Sequence, residues 1–350
     1  MSQENESYAA LGFPDRETFE FPNIVNVEVY RSACPCECRH CPVGSTPPAD
    51  RPARFGRRAI DLDLYRRIVA EMAAHPGRIL RVHSVGEPLL WPELSAALAS
   101  GRSAGVRMWV FTCAVTTDRG LLDALARDAH IVEVSVNSVD RRDYLQTKGV
   151  DAFDRVVENL AYLRGLSRRG APLRLIVSRV QSTDRAADER FVRYWKASGL
   201  VHDAFVRSYH TYNDLLPVLG EDGEAGGGHS PCRVHWTRFN INTEGKAVVC
   251  FNELFKERLD PSLILGDLAR QSIAEIWHGP ALTALREAEL SGDYSRLAMR
   301  DSLPCRECRF CQPLRSDRQT SEHQVAALDA AATEPQTTPP RADMDGKVNP

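Results

Sequence analysis

No run of apolar residues in this 350-residue chain is long enough to span a bilayer. Its opening, MSQENESYAALGF, has neither the basic start nor the apolar stretch of a secretory signal. An excess of one charge is missing as well. The 44 basic and 47 acidic side chains leave a net charge of -3, which offers little to nucleic acid or to an anionic membrane. No internal repeat is present, so a stacked array is not expected. These absences make the cytoplasm the expected location, with neither nucleic acid nor membrane as a partner. What remains is an ordinary globular composition, 43% hydrophobic and 26% charged. The length exceeds the usual single core and implies one large domain plus something smaller.

Cysteine, by contrast, is plentiful. Ten cysteines in a reducing compartment point to metal or redox chemistry rather than disulfides. Four of them, Cys34, Cys36, Cys38 and Cys41, crowd into the stretch YRSACPCECRHCPVG, and Cys113 stands alone. Cys232 and Cys250 form a loose pair, and Cys305, Cys308 and Cys311 close the set. Two groups so far apart imply two sites.

From about residue 22 to 215 short β-rich runs alternate with amphipathic helices. The candidate strands are 23–30, 78–84, 106–112, 130–136, 173–178 and 202–208. Phe153, Val156, Val157, Leu160 and Leu163 trace the stripe of a helix with one buried face, and 61–74 and 188–198 read similarly. Six strands alternating with five helices imply βαβ units and a parallel sheet, whose chemistry belongs at the carboxyl ends of the strands. The dense cysteine loop follows the first strand and so occupies that edge. The Gly-rich stretch LGEDGEAGGGHSP reads as a linker. The expected organisation is therefore a lead-in (1–21), an α/β domain (22–218), the linker (219–231), a cysteine-rich domain (232–315) and a polar, Pro-rich disordered tail (316–350). Ser272 and Glu275 make the capping box of a helix in the cysteine-rich part.

Three thiolates on the tight Cys34-x3-Cys38-x2-Cys41 loop suit three corners of a cubane iron–sulfur cluster, leaving one iron open. An open coordination position marks a site that does chemistry. The alternative is structural zinc with Cys36 as fourth ligand, for which four thiolates interrupted by Pro35 give awkward tetrahedral geometry. This spacing resembles the radical SAM superfamily, whose Cys-x3-Cys-x2-Cys signature follows the first strand of a partial (β/α)6 TIM-like barrel. The resemblance implies that the open iron chelates S-adenosylmethionine. Reduction then yields a 5'-deoxyadenosyl radical that abstracts a hydrogen atom from substrate.

Further positions match that family. His40 stands where it has an aromatic residue. The HSVGEPLL segment, with Ser84, Gly86 and Glu87, matches its Gly-Gly-Glu-Pro-like binder of the methionine amine, with Val85 in place of the first glycine. Cys113 departs from the family's Thr-Asn-Gly at the end of the third strand. Asn137 and Ser138 are placed to bind the ribose, and Ser178 and Arg179 the carboxylate or sugar of S-adenosylmethionine. All four read equally as loop residues satisfying local backbone.

The second group is similar to the SPASM and shorter twitch extensions of such barrels, which carry a Cys-x(9–15)-Gly-x4-Cys hairpin and then a Cys-x2-Cys group. FNINTEGKAVVC reads as that hairpin, with a Glu-Gly turn delivering its cysteines to one end. Five cysteines rather than seven imply one auxiliary 4Fe–4S cluster, held by Cys232, Cys250, Cys305 and Cys308, with Cys311 replacing one of them or free. A zinc ribbon on the same four thiolates is the alternative.

The resemblance leaves the substrate open. Only about twenty residues precede the first strand, too few for a folded leader-binding domain. That favours a small polar substrate of sugar, aminocyclitol or nucleoside type, as in antibiotic biosynthesis, over a ribosomal peptide. Dehydrogenation needs a base, for which His210 or Asp214 serves, and an electron acceptor. Epimerisation needs a hydrogen donor such as the thiol of Cys36 or Cys113. Decarboxylation needs a cationic clamp, Arg207 or Arg179. A flavodoxin- or ferredoxin-type reductant is expected for the family. An iron–sulfur electron-transfer protein without radical chemistry is the reading from another class.

Overall fold

The computed structural model of the chain describes residues 20–219 and 231–308. The lead-in to residue 19, most of the Gly-rich linker, Cys311 and the tail lie outside the described residues. Six parallel strands are present: β1 (Ile24–Arg31), β2 (Ile79–Val85), β3 (Arg107–Thr112), β4 (Ile131–Ser135), β5 (Arg174–Val180) and β6 (Asp203–Arg207). Each coincides with a β-rich run of the sequence to within one or two residues. The connecting helices are α1 (Arg51–Phe55), α2 (Leu62–Ala73), α3 (Leu94–Ser103), α4 (Arg119–Asp128), α5 (Arg141–Lys148), α6 (Phe153–Arg168) and α7 (Arg185–Ala197). Four of them start on an aspartate whose carboxylate accepts from first-turn N–H groups: Asp61, Asp118, Asp140 and Asp184.

The C-terminal part contributes α8 (Arg233–Thr237), β7 (Arg238–Ile241), β8 (Lys246–Val248), β9 (Ile264–Asp267), α9 (Ile273–Trp277) and α10 (Pro280–Ser291). Strands β7 and β8 form the expected antiparallel hairpin, its turn closed by Gly245 at φ 77°. The hairpin does not form a sheet of its own. Strand β7 pairs in parallel with β1, Ile24 opposite Arg238 through Val27 opposite Ile241, so one sheet runs β6-β5-β4-β3-β2-β1-β7-β8-β9. The α9 helix opens on the Ser272–Glu275 capping box.

Alternation along the strands assigns opposite jobs to the two sheet faces. Val25, Val27, Leu80, Val82, Met108, Val110, Val132, Val134, Leu175 and Val177 share one core with helix residues such as Ile68, Leu98, Leu125, Leu160 and Trp195. The other face, the inner wall of the partial barrel, carries Asn26, Arg81, His83, Trp109, Phe111, Glu133 and Arg207. The sheet therefore stands on its helices and keeps its polar chemistry on the inner wall. Among the described residues no helix is long and apolar enough to cross a membrane.

Candidate active site

The cysteine loop is held from three sides. Beneath it, the ends of β1 and β2 are zipped together: Ser32 N–H donates to the Val85 carbonyl at 2.6 Å, and Glu87 N–H to the Ala33 carbonyl at 2.8 Å. Gly86, at φ 151°, permits this approach, because a side chain there would run into the Ala33 carbonyl. On a second side, Arg51 of α1 is 2% exposed and donates to the carbonyls of Cys34 (2.8 Å), Cys36 (3.2 Å) and Thr46 (3.0 Å). On the third, the C-terminal turn of α5 accepts the loop's N–H groups, Glu37 to Lys148 O at 2.7 Å and Arg39 to Thr147 O at 3.3 Å. These are orphan carbonyls of a helix end, so the loop serves as their cap.

The thiols gather above this cradle. Cys36, Cys38 and Cys113 are buried against one another, with Cys34 and Cys41 at their edge. The sulfurs of Cys34, Cys36 and Cys113 all lie within 4.8 Å of one another. Hydrogen bonds from the Cys113 and Cys36 thiols lower the Cys34 pKa to about 5. Cys38 is pushed up to about 12 by its hydrogen bond with Cys36 and by burial, and Cys41 to about 11 by burial. His40 hydrogen-bonds the Cys38 thiol. Lys148 is 1% exposed and donates to Ser135 Oγ at 2.8 Å. Burial would drive its ammonium toward neutrality, but the facing sulfurs of Cys38, Cys36, Cys113 and Cys34 raise its pKa instead. A soft donor set with a buried cation beside it fits an anionic iron–sulfur cluster. Neither Arg51 nor Lys148 is conspicuous in the sequence, where each is one more cation on a helix.

The other expected cofactor residues lie along the same strand ends, and several are engaged. Both Glu87 oxygens are occupied, Oε1 by Thr112 Oγ1 (2.6 Å) and Leu89 N–H (3.1 Å), Oε2 by Cys113 N–H (2.8 Å). Ser138 pairs with Thr147 Oγ1 at 2.8 Å. Arg179 bonds Asp188 (2.8 Å), Asp143 (3.4 Å) and the Asn137 carbonyl, clamping β5 to α7 and α5. Ser178 is buried at the same edge, its carbonyl accepting from Asn137 N–H at 3.1 Å. Asn137, in the left-handed region at φ 65°, accepts from Val180 N–H through Oδ1 and leaves a buried Nδ2 without a hydrogen bond. Ser84 likewise has a buried, unbonded hydroxyl. These two atoms are donors still to be satisfied.

The inner wall sets Arg207, which the sequence singled out, beside Arg81, His83 and Glu133, which sequence patterning did not single out. Arg81 lies 4.5 Å from the Trp109 ring and 4.9 Å from Phe111. Arg207 approaches Phe111 at 5.1 Å and Phe205 at 4.9 Å, and bonds the fully buried Glu133 bidentately, Nε to Oε1 at 2.6 Å. His83 is 4% exposed and neither ring nitrogen is hydrogen-bonded; burial, then Arg81 and Arg31, lower its pKa to about 3. Beyond β6, Tyr212, Asn213 and Asp214 are consecutive residues at positive φ. Tyr212 packs on the same small cluster as Cys34 and Cys41, whereas Asp214 points to solvent. Burial, with Arg238 and Arg207, lowers the His210 pKa to about 4.

The second cysteine group assembles around α8 and α10. The Cys305 sulfur lies 3.8 Å from His235 Nε2, while Nδ1 of the same ring meets Glu289 Oε1 at 2.6 Å. Glu289 also accepts from Cys232 N–H (3.1 Å) and Trp236 Nε1 (2.9 Å). Although burial opposes it, Glu289 and Cys305 raise the His235 pKa well above the usual histidine value. Burial and then Cys305 raise that of Cys250, to which Cys232 also contributes. Cys308 N–H donates to the Cys305 carbonyl at 3.3 Å. Cys232, Cys250 and Cys305 thus influence one another near one end of the hairpin, Cys308 follows Cys305 in a short turn, and a histidine–carboxylate pair that the sequence spacing did not reveal stands beside them.

Comparison with known proteins agrees with this geometry. The family model of the radical SAM superfamily matches residues 30–177, and that of SPASM, an iron-sulfur cluster-binding domain, matches residues 232–312. No curated protein matches the chain. Among solved structures, Streptococcus suis SuiB bound to precursor peptide SuiA is similar at 14% identity and a TM-score of 0.59, over 76% of this chain and 67% of that one. Native anSMEcpe with bound AdoMet is similar at 12% identity and a TM-score of 0.56, over 88% and 99%. At such identities these likenesses establish the fold, an α/β partial barrel. The two family models together cover more than half of the sequence and bracket both cysteine groups. The chain belongs to the radical SAM superfamily and carries a C-terminal SPASM domain, so that its cofactors are a 4Fe–4S cluster with S-adenosylmethionine and an auxiliary iron–sulfur cluster.

Proposed function

We propose that Cys34, Cys38 and Cys41 hold the S-adenosylmethionine cluster and that Cys232, Cys250, Cys305 and Cys308 hold the auxiliary one. The enzyme then abstracts hydrogen from a small polar substrate bound on the inner wall. When bound, the first cluster with its S-adenosylmethionine supplies the one-electron chemistry that activates a substrate C–H bond. The protein's own part is positioning. Asn137 Nδ2 and Ser84 Oγ are donors open to the nucleoside or methionine portion, and the backbone of Gly86–Glu87 lines the same edge. Because its carboxylate is already engaged, Glu87 acts by holding β2 to β3.

The observation that carries the substrate reading is the inner wall itself. Arg81, His83, Glu133 and Arg207, with Asn26 bonded to Asn240 at 2.8 Å, line a surface of charge and hydrogen-bonding groups. Arg207 and Glu133 satisfy each other and Asn26 bonds Asn240, but the His83 ring nitrogens have no hydrogen bond, and a hydroxylated or charged substrate can bond that ring where an apolar one cannot. His83 and His210 are both held neutral by burial, which suits them to hydrogen-bond a substrate as uncharged rings. Arg207 is already held bidentately by Glu133, so a clamping role in decarboxylation requires the substrate carboxylate to share that guanidinium with Glu133. Dehydrogenation would use a histidine base, with the auxiliary cluster as electron acceptor.

The test is to supply the anaerobically reconstituted enzyme with S-adenosylmethionine, reductant and a panel of sugars, aminocyclitols, nucleosides and short peptides. A small polar compound is expected to raise 5'-deoxyadenosine formation several-fold and to pass deuterium from its carbon to that product. Stimulation by peptides alone would replace this reading with that of a peptide-modifying enzyme.

A further inference from the structure

Two thiols that a three-cysteine site does not need converge on one that it does. Cys36 belongs to the loop itself, where Arg51 fixes its carbonyl. Cys113 comes from another element, the end of β3, and still brings its sulfur within 4.8 Å of both Cys34 and Cys36. It arrives from a defined side. Its backbone N–H donates to Glu87 Oε2 at 2.8 Å, and Glu87 N–H in turn donates to Ala33 O, the residue before Cys34. Cys113 therefore sits between the cysteine loop and the Gly86–Glu87 turn, on the edge assigned above to the methionine portion of the cofactor.

A buried cysteine is ordinarily a small hydrophobe. This one shares a small apolar cluster with Cys34, Cys36, Cys38 and Cys41, with Val115 and Val150 packed against it, and the Glu87 carboxylate and Tyr144 lie beside it. Lys148 faces the same group with its charge. Three thiolates leave one iron of a cubane without a protein ligand, and a soft metal with an open position takes a thiolate that is within reach.

We propose that Cys113 is the resting-state fourth ligand of the cluster, its thiolate occupying the open iron until S-adenosylmethionine displaces it. The proposal rests on Cys34, Cys38 and Cys41 being the other three ligands. The step is a ligand exchange without change of oxidation state. The iron–Cys113 sulfur bond breaks, the amine nitrogen and carboxylate oxygen of S-adenosylmethionine bind in its place, and the released thiolate keeps its charge or takes a proton from water. Cofactor binding thus uncovers the iron, which stays covered while S-adenosylmethionine is absent.

The test uses the full-length, anaerobically reconstituted protein in which the labile iron alone has been exchanged for 57Fe. Mössbauer spectra without S-adenosylmethionine are expected to show a sulfur-ligated site in the wild type. On adding S-adenosylmethionine that site should change to nitrogen and oxygen ligation. Cys113→Ala and the near-isosteric Cys113→Ser should show light-atom ligation from the start. Both should also lose the labelled iron to ferricyanide several-fold faster, read as a three-iron paramagnetic signal. Cys36→Ala should behave as the wild type. The proposal is overturned if the cofactor-free wild type already shows light-atom ligation, if both Cys113 variants match it, or if Cys36→Ala alone moves the spectrum. The underlying ligand assignment fails separately, by Cys38→Ala still assembling about eight irons per chain, the auxiliary cluster accounting for about four.

Discussion

Lys148 shows what single residues contribute here. A lysine is seldom buried without an anion beside it, and the groups that face this one are sulfurs. Removing its charge should make the adjacent cluster harder to reduce. In an EPR-monitored redox titration Lys148→Met should lower the reduced fraction at fixed potential by tenfold or more. That corresponds to about 1.4 kcal/mol of Coulomb energy, reasonable for charges several ångströms apart at an effective dielectric near 20. Lys148→Arg should retain most of the effect, and an unshifted Lys148→Met titration would show that the charge is compensated elsewhere. His83 gives a pH dependence. Its folded pKa of about 3 lies below the ordinary histidine value near 6.5, so between those values the unfolded chain binds the proton and the folded one does not. Its contribution therefore falls as pH drops through that window and levels off below about 3. Urea midpoints from pH 7 to pH 4 should fall less steeply in His83→Gln than in the wild type; parallel slopes would mean that the ring takes a proton without unfolding.

At the scale of elements, the six parallel strands were legible because each is a β-rich run bounded by helical periodicity. The hairpin was legible because its Glu-Gly turn sits at the required spacing. The partnership of α5 with the cysteine loop was not. It depends on where the crossover after β4 returns, and the short helix presents only an ordinary cap at Gly149. That glycine is at φ 70°, and a side chain there would come within 2.7 Å of Glu37 Cβ. Gly292 ends α10 at the same φ but faces open space, and so provides an internal control. Gly292→Ala should cost only the left-handed penalty, roughly 1–2 kcal/mol, and leave the iron content unchanged. Gly149→Ala should cost more and release iron from the first site. Equal losses of thermal stability with equal iron would show that α5 does not brace the loop. Arg207 was singled out from the sequence, but its grouping with the other inner-wall residues was hidden for a related reason. Arg81, Glu133 and Arg207 lie on three separate strands, and only the parallel register stacks them around Trp109 and Phe111.

For the whole molecule, the decisive feature is that β1 serves both ends of the chemistry. Its carboxyl end launches the catalytic loop, while its flank pairs with β7, from which the hairpin leads to Cys250. Trp277 of α9 is fully buried, contacts Phe239 of β7, and belongs to the same apolar core as the barrel helices. Residues 20–308 should therefore unfold as a unit. Trp277→Ala should lower stability by about 3–5 kcal/mol in one urea transition, seen at the same midpoint by circular dichroism and by loss of both iron chromophores. Two separated transitions would contradict a shared core. The most direct measurement of the central claim is iron and sulfide content after anaerobic reconstitution, with EPR spectra recorded with and without S-adenosylmethionine. Two clusters predict about eight irons per chain and one reduced signal of two that changes on adding the cofactor. About four irons with zinc at the C-terminal cysteines, or spectra indifferent to S-adenosylmethionine, would contradict it.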